Sequence, residues 1–164
     1  MHGHHSLVQA ALRAHEAVMF CIPTAIQVGF ARFLQDLCYV EECLREQRVL
    51  YRTRRNAFVN GLQRLGFVTG RAPAGAYFIT ASAHGLGHLG ESDVSFAQRL
   101  MQEASVATLP ISALCAPSSR VSQRVQREWS QMRWLRFAFC KSEDVIDAAL
   151  QNLSKWRSIE APES

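Results

Sequence analysis

Apolar side chains recur at the three- and four-residue spacing of amphipathic helices over the first 65 residues. Ser6, a good capping residue, begins a first predicted helix, and a break at residues 21–24 separates it from a second one. A long third helix is predicted over residues 40–65, because apolar residues recur there every seven positions. Gly66 is typical of a helix C-terminus. The N-terminal part of the chain is therefore predicted to be helical.

Further along the chain, short apolar runs between turn residues predict strands. These strands are expected over residues 76–80, 106–109 and 134–140, and Pro110 is expected to end the second of them. Residues 112–131 are polar and irregular, so a surface loop is expected there.

Two more helices complete the predicted elements. One begins at Ser92, and the other begins at Ser142, with Glu143 and Asp144 in its first turn. Residues 158–164 are expected to form a frayed tail. The order of elements predicts an α/β fold, in which a long connecting helix precedes a small sheet that helices cover on one face.

The last predicted strand carries one arginine, Arg136, inside an apolar run. Alternation places Leu135, Phe137 and Phe139 on one face and Arg136 on the other, beside small residues. An unpaired charge in such surroundings is costly, so an anionic partner is expected, and a carboxylate suits the planar guanidinium. The residues alone leave two partners open, an internal Asp or Glu and the carboxylate of a ligand.

Composition narrows the classes of function. The 164 residues suffice for one domain with a core, and a net charge of +4 is too mild to indicate nucleic acid as a partner. Glutamates interleave with the arginines of the third helix, which favours a solvated helix face. Without a long apolar stretch or a signal-peptide pattern, no membrane span is expected. The five cysteines, an odd number without a CxxC motif, indicate reduced thiols and a cytoplasmic protein.

Two motifs point to chemistry that the surrounding residues do not support. Residues 85–90 match the G-x-G-x-x-G pattern, but the next helix begins after the motif, and Glu91 and Asp93 place negative charge where a pyrophosphate would lie. His15, His84 and His88 lack acidic or cysteine neighbours at ligand spacing, so no metal site is expected there. The terminal tract with His2, His4 and His5 could chelate a metal only adventitiously.

Six segments in order resemble the C-terminal part of class I aminotransferases, the fold-type I pyridoxal-phosphate enzymes, over roughly residues 7–156. The likeness is greatest to the kynurenine and methionine aminotransferase branch. The segments are Ile22–Gln27, Tyr51–Arg55, Gly61–Phe67, Pro73–Phe78, Val106–Ser112 and Leu135–Lys141.

The resemblance implies roles for three residues. Arg136 matches the family's arginine that grips the α-carboxylate of the amino-acid substrate. Phe20 and Cys21 match positions that reach into the partner subunit's active site, and kynurenine-type members carry His where this chain has Cys21. Two further departures are Leu114, where an aromatic residue is usual, and Ser82, where Asp is common.

The resemblance also implies a division of the chain. Residues 7–39 match the terminal helices of the family's large domain, and residues 40–157 match its C-terminal small domain, an α+β unit. Residues 1–6 match nothing in the family, and residues 158–164 form the tail.

Pyridoxal phosphate is the cofactor that the resemblance implies, held by a lysine that the family keeps upstream of this segment. Lys141 and Lys155, the two lysines present, match other positions. This chain, truncated relative to the family, is therefore expected to be inactive alone. The parent reaction moves an amino group between an L-amino acid, of kynurenine, methionine or aromatic type, and a 2-oxo acid.

The same resemblance implies how the chain associates. A homodimer is expected, or pairing with a full-length subunit. The alternative function is a non-catalytic, aminotransferase-derived module that pairs with such a subunit. The expected location is the cytoplasm, with the mitochondrion as the alternative.

Overall fold

A computed structural model describes residues 4–19, 21–86, 90–115 and 120–160. Contacts divide the chain into two compact units, Met1–Glu46 and Gln47–Ser164.

The N-terminal unit contains the predicted helices. Helix α1 spans His5–Met19, α2 spans Thr24–Gln35, and α3 begins at Leu37 and continues to Arg64 in the second unit. Helix α3 begins three residues earlier than the sequence predicts, because the Asp36 carboxylate accepts a hydrogen bond of 3.0 Å from the Tyr39 amide and caps the helix.

Helices α1 and α2 bury none of their described residues. Large apolar side chains are exposed along both helices, among them Val18 and Ile26. Of the helices that the structure describes, no single one is long and apolar enough to cross a membrane. Together α1 and α2 meet that criterion, across a bend of 110°.

The second unit is built on a four-stranded antiparallel sheet in the order β1-β2-β4-β3. The strands are β1 Val68–Thr69, β2 Phe78–Ser82, β3 Leu109–Pro110 and β4 Trp134–Ala138. Strand β4 is central, and it pairs with β2 on one side and β3 on the other.

The strand boundaries differ from the predicted ones for local reasons. Strand β2 begins two residues late, after Ala76, whose φ of 59° is incompatible with extended backbone. Strand β3 is shorter than predicted, and it includes Pro110. Proline is tolerated here because β3 lies at the edge of the sheet, where a residue without an N–H group need not donate a hydrogen bond to a second neighbouring strand. The short strand β1 was not predicted.

Helix α4 spans Asp93–Glu103, and Ser92 caps it as predicted by accepting a hydrogen bond from the Ser95 amide. The expected surface loop at residues 112–131 is wrong. Residues Ile111–Leu114 form a 3₁₀ helix, and α5 spans Arg120–Gln131.

Helix α5 was not predicted, because its sequence contains few apolar residues. Val125 and Trp129, spaced four apart, are two of them. Helix α6 spans Glu143–Glu160 and extends through the first residues of the expected tail, where the Ser158 hydroxyl donates to the Ser154 carbonyl. Residues 161–164 lie outside the described part of the chain.

The core lies between one face of the sheet and helices α3, α4 and α6, which confirms the predicted layer of helices on one side. Its fully buried residues come from every layer: Leu62, Phe96, Leu100, Leu135, Phe137, Phe139 and Leu153. Gly66 adopts a φ of 88° and ends α3 as predicted, and Phe67 turns back into this core.

Candidate functional site

Strand β4 alternates as its sequence predicts. Leu135, Phe137 and the following Phe139 are buried in the core, and Arg136 lies half-buried on the opposite face. Thr80 of β2 and Leu109 of β3 stand opposite Arg136 in the antiparallel register. Directly paired residues share a face, so Arg136 stands at the centre of the sheet face that looks away from the helical layer.

Arg136 lies against an aromatic ring and has no internal carboxylate. Its Cζ atom is 4.1 Å from the centroid of the Phe78 ring, a cation–π contact. The Nε atom is buried without a hydrogen-bond partner, and no described Asp or Glu forms an ion pair with the guanidinium. Of the two partners that the sequence left open, the internal carboxylate is therefore not found among the described residues.

Two other arginines of this unit are held by internal partners. Arg99 donates to both carboxylate oxygens of Glu91 at 3.0 and 2.8 Å. Arg133 donates to the carbonyls of Ala83 and His84, and burial lowers the pKa of its guanidinium. The chain thus provides partners for these two arginines, whereas the Nε atom of Arg136 has none among the described residues.

A shallow cavity of about 260 Å³ opens beside Thr80, the residue opposite Arg136. Ile111, Trp129 and Trp134 form the rest of its lining. Trp129 belongs to α5, so it was missed where the sequence predicted a loop. Thr80 is the cross-strand partner of Arg136, and Trp134 lies two residues before Arg136 on β4, so part of the cavity lining shares the sheet face of Arg136.

The 3₁₀ helix that carries Ile111 is held by a buried carboxylate. Asp93 accepts hydrogen bonds from the Ser112 amide and hydroxyl at 2.9 and 2.8 Å. Gln126 of α5 donates to the Ser112 carbonyl at 3.0 Å. From the sequence, Asp93 was evident only as a negative charge near the start of α4, since its contact with Ser112 spans 19 positions.

The other two predicted site residues, Phe20 and Cys21, come from a different part of the chain than Arg136. Phe20 lies outside the described residues. Cys21 is an exposed free thiol of the N-terminal unit, whereas Arg136 belongs to the second unit.

The two departures from the family pattern have different surroundings. Ser82 is buried, and its hydroxyl donates to the Met132 carbonyl at 2.6 Å and accepts from the His84 amide. Leu114, at the end of the 3₁₀ helix, is exposed. Ser82 therefore links β2 to the turn before β4.

The motif at residues 85–90 ends before α4, which begins at Asp93. Residues 87–89 lie outside the described part of the chain. Within the described ranges, no three His, Cys, Asp or Glu side chains come together as a metal site.

The site thus consists of an antiparallel sheet under three helices, with Arg136 on the opposite face of the sheet and no acidic partner among the described residues. The family model for aminotransferase class I and II matches residues 2–153. The chain therefore belongs to the class I and II aminotransferase family, and the resemblance seen in the sequence is confirmed.

The chain spans only about a quarter to a third of the length of the relatives that it matches. A probable N-succinyldiaminopimelate aminotransferase of Mycobacterium tuberculosis is 32% identical over 103 residues, which cover 63% of this chain and 25% of that protein.

Two solved structures are similar to this chain. That of the N-succinyldiaminopimelate aminotransferase from Mycobacterium tuberculosis has a TM-score of 0.69 at 27% identity, covering 94% of this chain and 36% of that one. YbdL from Escherichia coli, for which a methionine aminotransferase function was identified, has a TM-score of 0.66 at 25% identity, covering 87% and 33%.

Pyridoxal phosphate is the expected cofactor of this family, and such enzymes hold its aldehyde on a lysine. Lys141 and Lys155 are the chain's two lysines, and both are exposed. Neither lines the cavity beside Thr80. The lining of this cavity therefore offers no lysine that fits the cofactor's aldehyde.

Proposed function

We propose that this chain is the substrate-carboxylate-binding part of an aminotransferase. The parent reaction would transfer an amino group between an L-amino acid and a 2-oxo acid. The observation that carries the proposal is Arg136, a half-buried guanidinium with an unpartnered Nε atom on the open face of the sheet. Its planar fork suits the α-carboxylate that both substrates share.

The apolar cavity beside Thr80 supports a substrate side chain of methionine, kynurenine or aromatic type. Ile111, Trp129 and Trp134 offer contacts to such a group and no charge. The relatives' names add N-succinyldiaminopimelate as a candidate substrate. Phe20 and Cys21 would complete the pocket from a partner subunit.

The proposal divides the chain as the family resemblance does. Residues 7–39 would belong to the large domain and residues 40–157 to the small domain. The boundary between the two compact units falls after Glu46, inside α3. This position supports a role of α3 as the helix that connects the large-domain part to the small domain. A cytoplasmic location, or a mitochondrial one, would suit the free cysteines.

The carboxylate role predicts selective binding. L-Methionine titrated into labelled protein is expected to shift the amide NMR signals of Thr80 and Leu109, because both stand opposite Arg136. L-Methioninamide, which lacks the carboxylate, is expected to leave them unchanged. Arg136→Met is expected to weaken binding at least about tenfold, the cost of losing a charge-assisted pair.

A control variant distinguishes carboxylate binding by Arg136 from a general effect of losing one positive charge. Arg124→Met removes an exposed arginine of α5 and is expected to bind L-methionine as the parent chain does. Arg136→Met is also expected to lose less than about 1 kcal/mol of stability, since no internal ion pair is broken. Equal binding of acid and amide would contradict the proposal.

A second function, a non-catalytic module that pairs with a complete aminotransferase subunit or with its own copy, is favoured by the N-terminal unit. Helices α1 and α2 bury none of their described residues and expose Leu7, Val18, Ile26 and Phe30. An apolar surface of this kind is typical of an interface.

Association through this surface is a prediction that light scattering can check. The chain is expected to form dimers, alone or with a co-expressed complete subunit, and Phe30→Ser is expected to raise the dissociation constant at least about tenfold. Gln27→Ser, a polar change on the same helix, is the control. A monomer in both settings at micromolar concentration would contradict the module function.

A further inference from the structure

A second cavity, of about 320 Å³, lies between α3 and the turn before β2. We name it the arginine cleft, because Arg48, Arg52 and Arg55 line one wall. The turn Pro73–Ala76 forms the opposite wall, and Gln47, Tyr51 and Phe139 complete the lining. No Asp or Glu is among the residues that line it, so the cleft carries three positive charges without a compensating one.

The three arginines form one stripe. Their spacing of four and then three residues places them on one side of the helix, over roughly 10 Å at 1.5 Å per residue. No acidic residue lies three or four positions from any of them. Like charges at this spacing repel.

The interleaved glutamates of α3 do not compensate this stripe. Glu41 and Glu42 lie four and three residues before Arg45, and the Arg45 guanidinium binds the Glu42 carboxylate at 2.9 Å. Glu46 has no arginine three or four positions away. Arg48 and Arg52 are solvated, as the sequence predicts, but the glutamates of α3 do not lie at a spacing that neutralises them.

One of the three guanidiniums is fixed in place. Arg55 donates to the Pro73 carbonyl at 2.7 Å and to the Asn56 side chain at 3.1 and 3.0 Å. Arg48 and Arg52 are exposed, and neither guanidinium forms a hydrogen bond or an ion pair with another residue in the described part of the chain. The cleft thus combines an anchored cation with two that are available to a ligand.

We propose that the arginine cleft binds a small ligand carrying two linked phosphate groups. A guanidinium pairs with a phosphate through two parallel hydrogen bonds, and three guanidiniums in a row exceed what one carboxylate neutralises. Enclosure by the turn Pro73–Ala76 favours a compact ligand over an extended polyanion. Arg136 does not line the cleft, so this site is separate from the proposed carboxylate site.

Calorimetry with inorganic pyrophosphate, at an ionic strength held constant with sodium chloride, tests the site in the full chain. Saturable binding is expected, and Arg52→Gln is expected to weaken it about tenfold. Arg124→Gln removes the same charge from α5 and is expected to change the affinity less than twofold. Circular dichroism melting of each variant shows whether the fold is retained.

Two further ligands define what the cleft recognises. Orthophosphate is expected to bind at least tenfold more weakly than pyrophosphate, and equal affinity would overturn the requirement for two linked groups. Adenosine diphosphate distinguishes the sources of the diphosphate: tighter binding than pyrophosphate assigns a nucleotide, and equal binding assigns the diphosphate alone. An equal loss in Arg52→Gln and Arg124→Gln, or no saturable binding, would overturn the proposal.

Discussion

Phe137→Ala is expected to lower the free energy of unfolding by about 3–5 kcal/mol, the usual cost of removing a buried aromatic side chain. Phe137 is 2% exposed, on the core face of the central strand. Its ring packs edge-on against the rings of Phe58 in α3 and Phe67, with distances between ring centroids of 5.8 and 5.7 Å. The substitution therefore removes contacts between the sheet and the helical layer, and it leaves a cavity that neighbouring rings cannot close.

Urea unfolding followed by circular dichroism measures this loss as a shift of the midpoint at unchanged slope. The matched control is Met101→Ala, which truncates a large side chain that α4 exposes, and less than about 0.5 kcal/mol is expected there. Equal effects of the two substitutions would show that the sheet face of Phe137 is not the core.

Arg99→Met is expected to destabilise the second unit by about 3 kcal/mol, at the lower end for breaking a buried ion pair. The side chains of Arg99 and Glu91 are only 13% and 11% exposed, and the pair is bidentate. The Arg99 guanidinium also lies 5.3 Å from the ring centroids of both Phe96 and Trp156. Methionine keeps much of the packing volume, so the loss reports chiefly on the charge pair.

Two companion variants sharpen this measurement by urea unfolding. The double variant Glu91→Leu and Arg99→Met is expected to recover part of the loss, because it leaves no buried carboxylate without its bidentate partner. The recovery is incomplete because the buried Arg133 guanidinium also loses the favourable charge of Glu91. Arg124→Met breaks an exposed pair with Glu128 and is expected to cost less than about 1 kcal/mol. Losses that simply add in the double variant would contradict a stabilising Arg99–Glu91 pair.

The local pattern of apolar and polar residues was enough to predict the helices and strands that have strong periodicity. The helices of the first half, the strand around Arg136 and the helices after Ser92 and Ser142 all form, because their apolar residues recur at regular spacing. Ser92 caps α4 as predicted, whereas Ser6 lies inside α1, which begins at His5, and α2 begins after Pro23 without a side-chain cap. Helix α5 does not follow from local pattern. Its sequence is mostly polar, and part of what holds it is the hydrogen bond from Gln126 to Ser112, which joins residues 14 positions apart.

For the candidate site, alternation along β4 was sufficient to place Arg136 on the face opposite the core. It was not sufficient to decide whether an internal acid balances its charge, because such a partner can come from any point of the chain. The same limit applied to the arginines of α3, whose interleaved glutamates suggested a solvated helix face. Helical spacing pairs Glu41 and Glu42 with Arg45 and leaves Glu46 without an arginine three or four positions away.

The sequence by itself therefore determined the family resemblance, the helical first half and the orientation of Arg136, since each depends on residue types at short, regular spacing. Only the tertiary structure decided which charges have partners: Arg99 with Glu91, Asp93 with Ser112, and Arg136 with no described acid. Those outcomes depend on contacts between residues far apart in the chain. Such contacts arise when β4 packs between β2 and β3 under the helical layer, and no local pattern encodes them.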